Sequence, residues 1–188
     1  MENTSNYTMS GQKLNIITYP SSNLAKVAEE VEIFNDEINK LCQNMLYTMY
    51  HAPGIGLAAP QVGVNKRIFV IDVDFKIEEN DDGATSYSNL NPRIFINPTI
   101  NNKSGEIESE EGCLSLPGLY EKVKRYQDIN IDYFDQLGNQ HQLKATELLS
   151  ICIQHENDHL DGVLITEKMS AMDRLVNRRR IRDLERAR

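Results

Sequence analysis

The segment Leu148 to Leu160 constrains this 188-residue chain most, because His155 and His159 stand four residues apart inside an apolar pattern of helical period. Residues so spaced lie one turn apart on one helix face, so both imidazoles can reach one metal ion, with Glu156 rotated by about 100° beside them. An HExxH pattern within a helix is a metal-site motif. Two half-buried histidines on a surface helix would give the same spacing, so a third ligand matters. Cys113 offers one, in Glu110-Glu111-Gly112-Cys113-Leu114-Ser115-Leu116-Pro117. A Cys-His-His set with one position open is the layout of a catalytic metal site. His51 and His141 fit no ligand spacing. Cys152, on the His155 face, would close the open position as a fourth ligand and is read instead as a small buried hydrophobe, as is Cys42.

Elsewhere, Ile38, Leu41, Cys42, Met45, Leu46 and Met49 repeat at intervals of three and four, predicting an amphipathic helix over Asn35 to Tyr50 with Asn35 or Asp36 as N-cap. Pro53 and Gly54 stop it, and the glycine- and proline-rich Gly54 to Gly63 reads as a shaped loop. Short strands are expected at Arg67 to Val73, Ile94 to Ile100, around Glu106 to Glu108, Val123 to Tyr126, Ile129 to Phe134 and Gln140 to Ala145, with a turn at Asp135 to Asn139. The polar Lys76 to Leu90 is a hairpin or surface excursion. Thr146 would cap the metal helix, Asp161-Gly162 would end it, and a last helix would run from about Ser170 to the C-terminus. The expected fold is α+β: short, mostly antiparallel strands around a central metal-binding helix, with an N-terminal and a C-terminal helix. Three parts follow: a flexible leader over 1–13, one catalytic domain over 14–169, and a basic helix over 170–188.

No apolar run approaches the ~18 residues of a membrane span, so no membrane partner is expected. Three scattered cysteines make no disulfide framework and fit a reducing, cytoplasmic setting. The net charge of −8 conceals an uneven distribution: Lys168 to Arg188 holds eight Lys or Arg and three Asp or Glu. This tail is either a solvated helix end favoured by the helix dipole or an RNA-contacting surface.

Three separated blocks then agree: Gly54-Ile55-Gly56-Leu57-Ala58-Ala59-Pro60-Gln61, Glu111-Gly112-Cys113-Leu114-Ser115 and Gln154-His155-Glu156-Asn157-Asp158-His159-Leu160. From about Ile16 to Leu164 the chain resembles the peptide deformylase family. The resemblance implies hydrolysis of the N-formyl group from N-formylmethionyl nascent peptides in a bacterial cytoplasm. It also implies one divalent metal, natively Fe²⁺ and replaceable by Zn²⁺, Ni²⁺ or Co²⁺, on Cys113, His155 and His159. One thiolate and two neutral imidazoles leave such a site at net +1, which lowers the pKa of a metal-bound water and makes it a nucleophile. Glu156 would be the general acid/base. The Gln61 amide and Leu114 N–H would stabilise the developing oxyanion. Gly54, Ile55, Gly56 and Gly112 would bind the peptide, with Ile151, Cys152 and Tyr120 around the methionine side chain. Glu111, counted with the substrate-binding residues, would also brace the metal loop, pairing with Arg125. Asn157 replaces a residue usually apolar in the family and should have a hydrogen-bond partner; Glu147 and Ser150 replace small ones without touching the ligands. In some relatives the C-terminal helix is held to dock on the ribosome. A zinc endopeptidase or a ribosome-binding protein with a vestigial site are the alternative readings.

Overall fold

The computed structural model describes residues 9–79, 83 and 85–186. Helix α1 (Asp36–His51) is capped by Asn35, whose side chain accepts the Ile38 N–H. The sheet strands β1 (Gly56–Ala58), β2 (Ile68–Ile71), β5 (Arg93–Ser104), β8 (Asp128–Phe134) and β9 (Gln140–Thr146) form one antiparallel sheet in the order β1-β2-β5-β8-β9. Strands β3 (Lys76–Glu79) and β4 (Thr85–Ser88) pair, which decides for a hairpin between the two readings of that segment, and β6 (Ile107–Cys113) pairs with β7 (Leu116–Arg125) as a second one.

Strand alternation divides the core. Ile68, Val70 and Ile96 face Cys42, Met45, Leu46 and Met49 of α1, whereas Phe69, Ile71 and Phe95 face Cys152, Ile153 and Leu160 of α2 (Glu147–Leu160). The sheet therefore lies between two helices, which is why β2 is buried on both faces and reads as an unbroken apolar run. Thr146 stands at the α2 N-cap without a side-chain cap bond, and Asp161 with left-handed Gly162 ends the helix.

Two expectations need correction. The 54–63 segment is not all loop: Gly56–Ala58 pairs with β2, and Ala59–Val62 forms a 3₁₀ turn with Pro60 in its first turn. Strand pairing here comes from a long-range partner that local composition does not report. The last helix is split at Asn177 into α4 (Ala171–Val176) and α5 (Arg178–Arg186). There the Asn177 amide donates to both the Asp173 carbonyl and Glu121 of β7. Ile181 and Leu184 of α5 pack on the cluster of Leu119, Val123, Leu164 and Ile165, the last of these on α3 (Ile165–Lys168). Of the expected leader, residues 1–8 lie outside the described residues, while the Gln12 N–H donates to Asn44 Oδ1 on α1.

Candidate metal centre

Helix α2 enters beneath the sheet, so His155, Glu156 and His159 are buried, at 9%, 4% and 2% exposure. Strand β6 ends where its pairing with β7 shifts register, between Gly112 and Cys113, and this turns Cys113 toward the helix. The Cys113 Sγ lies 3.2 Å from His159 Nε2, and the ligand atoms of Cys113, His155 and His159 all lie within 4.8 Å of one another. The donor set of one sulfur and two imidazole nitrogens fits a divalent transition metal, and this is one divalent-metal site. No other such cluster occurs among the described residues. The His155 Nδ1 sits 2.9 Å from Glu111 Oε2, leaving Nε2 for an ion.

Charge is tuned by burial. Burial pushes His159 well below the ordinary imidazole range, and the His155 charge adds to this, so His159 stays neutral as a ligand must. Burial also opposes the charge on His155, but contacts with Cys113 and Glu111 raise its pKa to about 10 in the ion-free protein. Burial raises the Glu156 carboxyl to about 7, against the pull of the His155 charge. Its Oε2 has no hydrogen-bond partner among the described residues.

Gln61, 1% exposed, is fixed at both ends of its amide. Oε1 accepts the Ala58 N–H at 2.8 Å, while Nε2 donates to Ser115 Oγ at 3.2 Å and stands 3.6 Å from Cys113 Sγ. The acceptor contact at Ala58 thus aims the amide donors at the metal side.

Beside this cluster runs a cleft of about 450 Å³. One wall is Gly54, Ile55 and Gly56, and the other is Glu111, Gly112, Cys113, Leu114 and Tyr120; Ile151, Cys152, His155 and Glu156 form the floor, with Gln61 at the end. His159 is not in its lining. Strand β1 is the last of its sheet and β6 belongs to a separate pair, so two strand edges flank the cleft. Asn157 has its partners, Asp161 at the C-cap of its helix at 2.9 Å and Arg67. Cys152 contacts the Ile55 carbonyl and is no part of the ligand cluster. His51 stacks on Tyr47 and His141 pairs with Asp135, both away from it.

Leu148, half-exposed in the cleft, was not among the expected site residues, although it is three residues before Ile151 on one helix face. Ser115 and Asp158 stand inside the motif blocks, but their partners do not show there: Ser115 accepts from Gln61, and Asp158 takes the second arm of Arg125 at 2.6 Å. Neither partner lies at a local spacing, because both are distant in the chain.

A family model described as polypeptide deformylase matches residues 13–175. The chain is 44% identical over 162 residues to the peptide deformylase of Hydrogenovibrio crunogenus, covering 86% of this chain and 89% of that one. It is 42% identical over 169 residues to that of Thermodesulfovibrio yellowstonii, covering 90% and 96%. Among solved structures, a peptide deformylase from Legionella pneumophila matches with a TM-score of 0.80 at 36% identity, over 93% of this chain and 96% of that one. The Plasmodium falciparum peptide deformylase complex with inhibitor matches with a TM-score of 0.78 at 36% identity, over 92% and 99%.

Proposed function

The chain belongs to the polypeptide deformylase family, and on that premise we propose how its residues divide the work of the reaction. The protein is a metal-dependent N-formylmethionine deformylase, an amidohydrolase that releases formate. This sets aside the endopeptidase and vestigial-site readings.

Cys113, His155 and His159 would hold a divalent ion, which when bound would supply a Lewis acid that lets water act as a nucleophile near neutral pH. Glu156 takes the proton of the attacking water on a carboxylate oxygen and returns it to the departing methionine nitrogen. What carries this assignment is its buried, unpartnered Oε2 on the cleft floor beside the ligands. Gln61 Nε2 and the Leu114 N–H donate to the formyl oxygen as charge develops there, and the pinned amide of Gln61 incurs no reorganisation at that moment. The peptide lies as an added strand between the β1 and β6 edges, with Gly54, Ile55, Gly56 and Gly112 offering backbone. The methionine side chain enters between Ile151, Cys152 and Tyr120. Glu111 orients His155 from behind. Formate release from formyl-Met-Ala-Ser by anaerobically purified protein tests the assignment: Glu156→Ala should keep its metal and lose activity, and retained activity would refute it.

Fe²⁺ is the native ion in this reading, with Zn²⁺, Ni²⁺ and Co²⁺ able to replace it, since a thiolate and two imidazoles accept all four. Metal analysis after anaerobic purification checks it. No helix among the described residues is long and apolar enough to cross a membrane. The bacterial relatives support a bacterial cytoplasmic setting. The domain reading stays as a 14–169 catalytic domain with a basic 170–188 extension. For that extension we propose ribosome contact, supported by exposed Arg178, Arg179, Arg180 and Arg182 on α5. Removing residues 170–188 should abolish salt-sensitive co-sedimentation with ribosomes; unchanged co-sedimentation would end the idea.

A further inference from the structure

Gly56 occupies a strand position where its backbone gives no reason for glycine. It pairs in register with Ile71, and it is absent from the residues with positive φ. Glycine inside a strand weakens it unless something must approach closely. A Cβ built on Gly56 would overlap Glu156 Oε1 and stand 2.8 Å from Glu156 Cδ and 2.9 Å from Cγ. All three nearest atoms belong to Glu156, so an added methyl would point at that side chain. Glu156 Oε2 meanwhile has no hydrogen bond to hold it. The bare Cα of Gly56 therefore leaves open the space that the Glu156 side chain occupies beside β1.

We propose that Gly56 is a positioning residue, whose missing side chain leaves the space in which the Glu156 carboxylate stands at the proton-transfer distance. This rests on Glu156 as the proton carrier. It differs from a role for Gly56 in binding the peptide backbone, because it acts on the turnover step and through one named side chain.

The test is a cycle of Gly56→Ala, Glu156→Asp and the double variant, each measured for metal content, melting temperature, kcat and KM with formyl-Met-Ala-Ser. Aspartate retracts the carboxylate by one methylene and makes room for the methyl. Gly56→Ala should lower kcat by about 30-fold or more at full metal content with KM little changed, since misplacing a catalytic group by about 1 Å costs on that scale. In the Asp background the same change should cost less than about threefold, a non-additivity expected only of contacting residues. The melting temperature lost in Gly56→Ala should return in the double variant. Equal losses in both backgrounds, or a loss confined to KM, would overturn the proposal. If Gly56→Ala fails to fold while the double variant folds, the contact is upheld; if neither folds, the constraint lies in the β1 backbone and the proposal is wrong. Wild-type kcat in Glu156→Asp and Glu156→Gln would instead refute the role of Glu156, while the melting temperatures still report the contact.

Discussion

The guanidinium of Arg125 grips both oxygens of Glu111, Nε to Oε1 and Nη2 to Oε2, each at 2.7 Å. Both side chains are nearly buried, at 3% and 5% exposure, and Glu111 Oε2 also meets the ring of the metal ligand His155. Burial alone would raise the Glu111 carboxyl, but the hydrogen bonds from Arg125 and His155 outweigh it and hold its pKa below the ordinary range. A strand of the second hairpin thus braces a ligand on the central helix.

Arg125→Ala leaves two carboxylates, Glu111 and Asp158, without their shared cation. It should cost about 3–5 kcal/mol of stability, as removal of one partner of a buried pair does. Through His155 it should also weaken metal binding about 10- to 100-fold. Urea denaturation and a metal titration check these separately, and Arg125→Lys should fall between, keeping the charge without the fork.

Gln61→Ala removes the pinned donor. We expect kcat to fall about 10²–10³-fold with metal content unchanged, the usual loss for one oxyanion donor. A loss seen only in KM would assign Gln61 to substrate binding.

In the metal-free protein, burial raises the Glu156 carboxyl from 4.5 to about 7. The native state then keeps a proton that the unfolded state releases, so this contribution is complete below pH 4.5 and is lost as pH rises through 7. The amplitude is on the order of 3 kcal/mol. Denaturation of chelated wild type and Glu156→Gln at pH 5 and pH 8 should show a smaller pH-dependent loss in the variant.

Thiol chemistry should separate the three cysteines. Cys113 lines the cleft, whereas Cys42 is fully buried and burial pushes its thiol up to about 12. Burial also raises the Cys152 thiol. Brief alkylation of the chelated protein should label Cys113 alone, read by peptide mass spectrometry, and bound metal should protect it. Aeration of the Fe²⁺ form should oxidise the same residue.

Periodicity sufficed for α1 and for the helix that carries His155 and His159, because apolar spacing is a local signal, whereas the polar, aperiodic Lys76 to Leu90 left a hairpin and a surface excursion both open until β3 and β4 paired. The HExxH spacing paired the two histidines for the same reason: one helical turn fixes their separation. Cys113 could be nominated from its local segment as a third ligand, but only the register shift at the end of β6 brings its sulfur to 3.2 Å from His159. The Gly56–Ala58 strand and the break at Asn177 were hidden, since each depends on a partner far along the chain: β2 for the first, Glu121 for the second. So too were the second arm of Arg125 and the contact of Gly56 with Glu156. Residue types and their local spacing say which groups are able to ligate, donate and accept. Which of them meet depends on the packing of distant segments, because burial between sheet and helix sets the distances, removes the water and shifts the charges on which the chemistry depends.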